Sequence, residues 1–153
     1  LVKRLLPKIA DNNFHGQKIA FYFFVFFMVL NTARSFIHLF AEDAGLNSIA
    51  NIIVFEGTPD PNKVIYLFGS LWGEMQVLCC LISWVVIFRY KSLVPFMYLI
   101  WLLEWLLRIS LISYMHGLET IYTTGSTPGS DYAPLVAVLL IIFFMLSLKV
   151  RSK

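Results

Sequence analysis

The run L-V-P-F-M-Y-L-I-W-L-L-E-W-L-L-R-I-S-L-I-S-Y-M, Leu93 to Met115, decides how the chain is read. It is apolar almost throughout and matches the ~20 residues with which a helix crosses a ~30 Å hydrocarbon core. Glu104 and Arg108 stand inside it at i and i+4, where two side chains share one helix face. Trp101 and Trp105 lie on the same side.

Outward from this run, three more apolar stretches cover about residues 19–40, 64–88 and 133–148. The last is short, and Tyr132 or Lys149 serves as its interfacial anchor. Composition agrees: of 153 residues, 59% are apolar and 14% charged, where a soluble domain carries about a quarter charged. The mean hydropathy is +0.76. The expected fold is therefore all-α: one transmembrane domain over residues 1–153, built as an integral membrane four-helix bundle.

Charge sets the predicted orientation. Lys3, Arg4, Lys8 and Lys18 precede the first span, Arg89 and Lys91 join spans two and three, and Lys149, Arg151 and Lys153 close the chain. The other side holds only Lys63, with Glu42, Asp43, Glu56, Asp60, Glu119 and Asp131. Basic residues stay cytoplasmic, so both termini are predicted inside, in a multi-pass membrane protein. Residues 41–63 and 116–132 become outer loops. In the first, Leu46, Ile49 and Ile53 recur at helical spacing and predict a short surface helix. E-G-T-P-D-P-N-K and T-T-G-S-T-P-G-S-D-Y are turn chemistry. The N-terminal L-V-K-R-L-L-P-K-I is expected on the inner surface, with Lys3, Arg4 and Lys8 at anionic lipid, although topology alone accounts for these charges. The chain opens on Leu1 rather than Met, which leaves room for residues upstream. As a signal peptide the first span reads poorly, because N-T-A before Arg34 puts Asn where a small residue is needed.

Four charges fall inside spans: Arg34, Glu74, Glu104 and Arg108. Exposed at mid-span, each costs ~2.5–3.5 kcal/mol on the insertion scale, so they are expected to point away from lipid. Counted from the inner span ends at 1.5 Å per residue, all four lie within ~6 Å of one level. Two Arg and two carboxylates sum to zero, a set that a low dielectric tolerates. Asn31, Arg34, Ser35 and His38 form one stripe of span one. In span two, Ser70 and Glu74 share a face with Gln76 close by, and Gly69 and Gly73 in G-S-L-W-G form a small-xxx-small packing motif. Span four has no charge and is expected to pack as a wall.

No nucleic-acid pattern, Walker loop, nucleophile elbow or metalloprotease motif is present. Cys79 and Cys80 are adjacent, read as soft packing residues, and offer no C-x-x-C. The sequence requires no cofactor; a haem or metal at His38 and His116 lacks further ligands. Three readings of the charge layer stay open. It fixes helices in an accessory subunit that packs against other membrane proteins or copies of itself. It forms a pocket for a quinone, lipid head group, small molecule or ion. Or His38 works with Glu74 or Glu104 as an acid–base pair in an intramembrane enzyme, the reading least favoured.

A-R-S-F-I-H-L-F-A from Ala33, S-I-A-N-I from Ser48 and F-R-Y-K-S-L-V-P from Phe88 resemble motifs of a group of uncharacterised bacterial four-span membrane proteins. The likeness covers most of the first 110 residues. It implies the four-span fold, a bacterial inner (cytoplasmic) membrane and no particular activity. A looser likeness to DoxX-like four-helix proteins concerns architecture alone.

Overall fold

The computed structural model describes residues 2–150; Arg151 and Lys153, assigned above to a basic tail, lie outside the described residues. The chain forms α1 (Val2–Leu5), α2 (Lys18–Phe40), α3 (Asn62–Arg89), α4 (Val94–Leu107), α5 (Ser113–His116), α6 (Pro128–Asp131) and α7 (Ala133–Leu148). A π-helical turn, Arg108–Ile112, joins α4 to α5. Among the described residues there is no strand, only an isolated bridge between Ile52 and Thr123. Three helical stretches, Lys18–Phe40, Asn62–Arg89 and Lys91–His116, are long and apolar enough to cross a membrane; α7 is apolar but has 16 residues.

The helices are apolar all round rather than on one stripe. Phe26, Phe68, Leu81 and Leu135 are all more than half exposed. A helix that is hydrophobic on every face is built for an apolar surround, not for one wet side. Inside, α2 packs along α3 and α4 along α7, and α2 also meets α7. The core between them holds Phe24, Met28, Tyr98, Trp101 and Leu140. The polar tips of Tyr98, Trp101 and Trp84 are paired, as is usual for buried Tyr and Trp. Tyr98 Oη donates to Ala20 O at 2.6 Å, and Trp101 Nε1 to Ser83 Oγ at 3.0 Å. Trp84 Nε1 donates to Thr32 Oγ1 at 3.0 Å.

The α2–α3 contact depends on the two glycines. A Cβ on Gly73 would lie 2.7 Å from the backbone at His38 and Leu39. One on Gly69 would lie 2.8 Å from Ala44 Cβ. The absent side chains let α3 run against the end of α2 and the turn that follows it.

The predicted surface helix after α2 does not form; residues 42–50 are turns. Asp43 supplies the reason. Its carboxylate accepts N–H bonds from Gly45 (2.8 Å), Asn47 (3.1 Å) and Ser48 (2.6 Å), a local network that competes with helix. Ala44, Gly45 and Asn51 are left-handed, at φ 51°, 68° and 56°, which ends any helical run. Conversely, T-T-G-S-T-P-G-S-D-Y, residues 123–132, reads as turns without a helical pattern but holds α6, with Pro128 in its first turn; a 3₁₀ turn at Thr120–Tyr122 precedes it. The two loops form one cap: Ile53 N donates to Tyr122 O (3.0 Å) and Thr124 N to Asn51 O (2.8 Å).

At the opposite, basic end the N-terminal segment folds across the helix ends. Asp11 and Ser92 exchange backbone and hydroxyl bonds of 2.9–3.2 Å. Gln17 N donates to Leu146 O at 3.1 Å.

Candidate functional site

Between the loop cap and the aromatic core, α2, α3 and α4 bring Arg34, Trp72, Gln76, Glu104, Trp105 and Arg108 together. The two indoles organise the group. The Arg34 guanidinium lies 5.1 Å from the Trp72 ring and 5.6 Å from Trp105. That of Arg108 lies 5.1 Å from each of the same two rings. Two like charges thus share two aromatic faces, whose quadrupoles attract cations most where water is scarce. Arg34 also donates to Gln76 Oε1 at 3.0 Å. Glu104 is paired with Arg108 across one helical turn.

Glu74 does not take part. It is exposed on α3, between Leu71, Met75 and Leu78, which are exposed as well. The neutral four-charge layer is therefore corrected to two guanidiniums and one carboxylate. The reason is helical geometry. Gly73 must face α2, and the next residue is turned about 100° away from it. Buried Gln76 sits where a second carboxylate was expected and offers Arg34 only a neutral amide oxygen.

Four buried polar atoms at the site have no hydrogen-bond partner: Arg34 Nε, Arg108 Nε, Trp105 Nε1 and Glu104 Oε2. Three are donors and one is an acceptor. Such groups are few in well-packed proteins, and each asks for an explanation. The π turn begins at Arg108, and Ser113 Oγ donates to the Arg108 carbonyl at 2.9 Å. Single π turns recur at functional sites because they re-aim side chains.

The other predicted residues lie elsewhere. Asn31 is buried but bonds to its own helix, donating to Phe27 O at 2.9 Å, while Ser35 donates to Asn31 O. Trp101 packs one level deeper, against Phe27 and Ser83. His38 is buried beside the site, with its ring 4.6 Å from Trp72 and Nδ1 2.7 Å from Ala44 O. No carboxylate lies within hydrogen-bond reach of it among the described residues, so the acid–base pair with Glu74 or Glu104 is not formed. His116 is exposed at the end of α5. Among the described residues no group of three His, Cys, Asp or Glu could hold a metal. Trp72 was missed as a site residue, although Gly69, Gly73, Gln76, Cys80 and Ser83 mark the small and polar face of α3, and Trp72 is four residues before Gln76.

No family model, curated protein or solved structure matches the chain. Fold and site together define an all-helical protein with three helices long and apolar enough to cross a membrane and a partly unpaired charge cluster between them.

Proposed function

We propose that this is a multi-pass membrane protein, with four spans and both termini cytoplasmic, that binds an anionic group at the Arg34–Arg108 pair. The observation that carries the reading is the charge imbalance: two guanidiniums on the same two indoles, with one carboxylate, Glu104, paired to Arg108. In a low dielectric an uncompensated positive charge is costly, and an anion entering beside Trp105 removes that cost. Its oxygens also suit the three unpartnered donors. Arg108 and Glu104 retain 23% and 31% side-chain exposure, so the site opens at its α4 side.

Laurate, a carboxylate amphiphile, is a suitable probe, with tryptophan fluorescence as readout because Trp72 and Trp105 touch both guanidiniums. Saturable quenching is expected, and loss of it in Arg108→Gln. Glu104→Gln removes the competing carboxylate and should tighten binding several-fold, although it loosens the fold. If Glu104→Gln lowers thermal stability and leaves laurate binding unchanged or absent, the cluster is structural.

Glu74 favours a second reading, that of an accessory subunit. A carboxylate on a lipid-facing helix costs about 2.5–3.5 kcal/mol at mid-span, and a basic or hydroxyl group on a partner helix removes that cost. Gentle solubilisation should then retain a partner that Glu74→Gln releases. Recovery from native membranes as a monomer alone counts against this reading.

A further inference from the structure

A cavity of about 540 Å³ opens at the basic end of the bundle, between the N-terminal segment, the start of α4 and the end of α7. Lys3, Arg4 and His15 line it, with Ser92, Ser147 and the Phe14 ring. Among the described residues no carboxylate is in its wall. Asp11, whose backbone is bonded to Ser92 of this wall, accepts the Asn13 N–H at 2.9 Å, and this bond, ahead of the nearby His15, holds its carboxyl below the usual range.

The wall is built rather than draped. Arg4 donates to Leu148 O at 2.8 Å, covering the carbonyl end of α7 that would otherwise repel an anion. The Asp11–Ser92 bonds anchor the segment on α4. A Cβ on Gly16 would lie 2.3 Å from Ser147 O, so only glycine allows the segment to approach α7 this closely. The hydroxyls already donate inside the protein, Ser92 to Asp11 O and Ser147 to Phe144 O. Among the described residues, the side-chain donors left for a ligand belong to Lys3, Arg4 and His15. That set suits a charged oxyanion better than a neutral polyol.

We infer that this cavity binds a phosphate group, from an acidic phospholipid head or from a free phosphate ester. Exposed Leu6 and Ile9 on the same segment favour the lipid source, because they set the cavity beside an apolar surround. Lys8, grouped with Lys3 and Arg4 by sequence, is outside the lining; His15 takes its place.

The full chain in phosphatidylcholine nanodiscs tests this, with phosphatidylglycerol added in one arm and glycerol phosphate titrated in the other. Saturable binding in the first arm assigns the lipid source, and in the second the free ester. The double change Lys3→Gln, His15→Gln leaves the Arg4–Leu148 bond in place and should weaken binding about tenfold or more, with Lys8→Gln changing it less than about twofold. In the unaltered protein, the bound phosphate should slow acylation of the Lys3 amine and not that of Lys8. Binding in neither arm overturns the inference. So does equal loss on changing Lys8, or equal protection of both amines, which indicates a diffuse basic surface.

Discussion

Asp43 shows how one side chain prepares the site from outside it. The turn it ties presents the Ala44 carbonyl to His38 and the Ala44 methyl to Gly69. Burial pushes the Asp43 carboxyl up, but the N–H groups of Ser48, Gly45 and Asn47 outweigh it and the net displacement is downward. A carboxylate with its folded value depressed stabilises the turn above the unfolded value, about pH 4, and loses that contribution as pH falls through the folded one. Protection of the Gly45, Asn47 and Ser48 amides, taken against the intrinsic exchange rate at each pH, should therefore fall as pH drops below about 4. Asp43→Asn should show low protection at these amides that acid does not lower further. Protection that stays constant with acid in the unaltered protein would remove this role.

At the scale of elements, the α2–α3 contact sets which face of α3 meets the charges. Gly73→Ala drives a methyl into the backbone at His38 and Leu39, which cannot rotate aside. Overpacking of this kind costs about 1–3 kcal/mol, so the thermal midpoint in detergent should fall clearly. Gly129→Ala, with nothing within 4 Å, should leave it unchanged or slightly raised. Equal midpoints for the two variants would mean that the helices are not in contact at Gly73. The π turn is the other element-scale device. Arg108 itself keeps the helical stagger of α4, its N–H bonded to Glu104 O, and the π turn shifts the residues that follow it; no hydropathy pattern distinguishes five apolar-rich residues in a π turn from the same residues in an α-helix.

For the whole molecule, the prediction concerns orientation. In a background of Cys79→Ala and Cys80→Ser, single cysteines at Asn12 and Lys149 should react with an impermeant maleimide only after the inner face is opened. One at Ser126 should react in intact cells. Labelling of Asn12 and Ser126 from one side would reject the four-span orientation. The physical basis is the segregation of Lys and Arg to one end, a property of composition that packing does not alter.

The amino-acid sequence by itself determined what composition and periodicity control. Apolar runs defined the long helices, and small residues at Gly69 and Gly73 marked a packing face. Turn residues placed the loops, though not their internal form at Asp43 and Pro128. It also brought Arg34, Glu104 and Arg108 to one depth, because depth follows from counting residues along a helix. Tertiary structure alone decided the rotation of each helix about its axis. One residue separates Gly73 from Glu74, and that step turns a carboxylate from the interior to the surface. A neutral layer thereby became a cluster with an excess positive charge between Trp72 and Trp105. Apolar helices leave this rotation open because every face suits an apolar surround. Close backbone contacts, visible only once α2 and α3 are side by side, fix it.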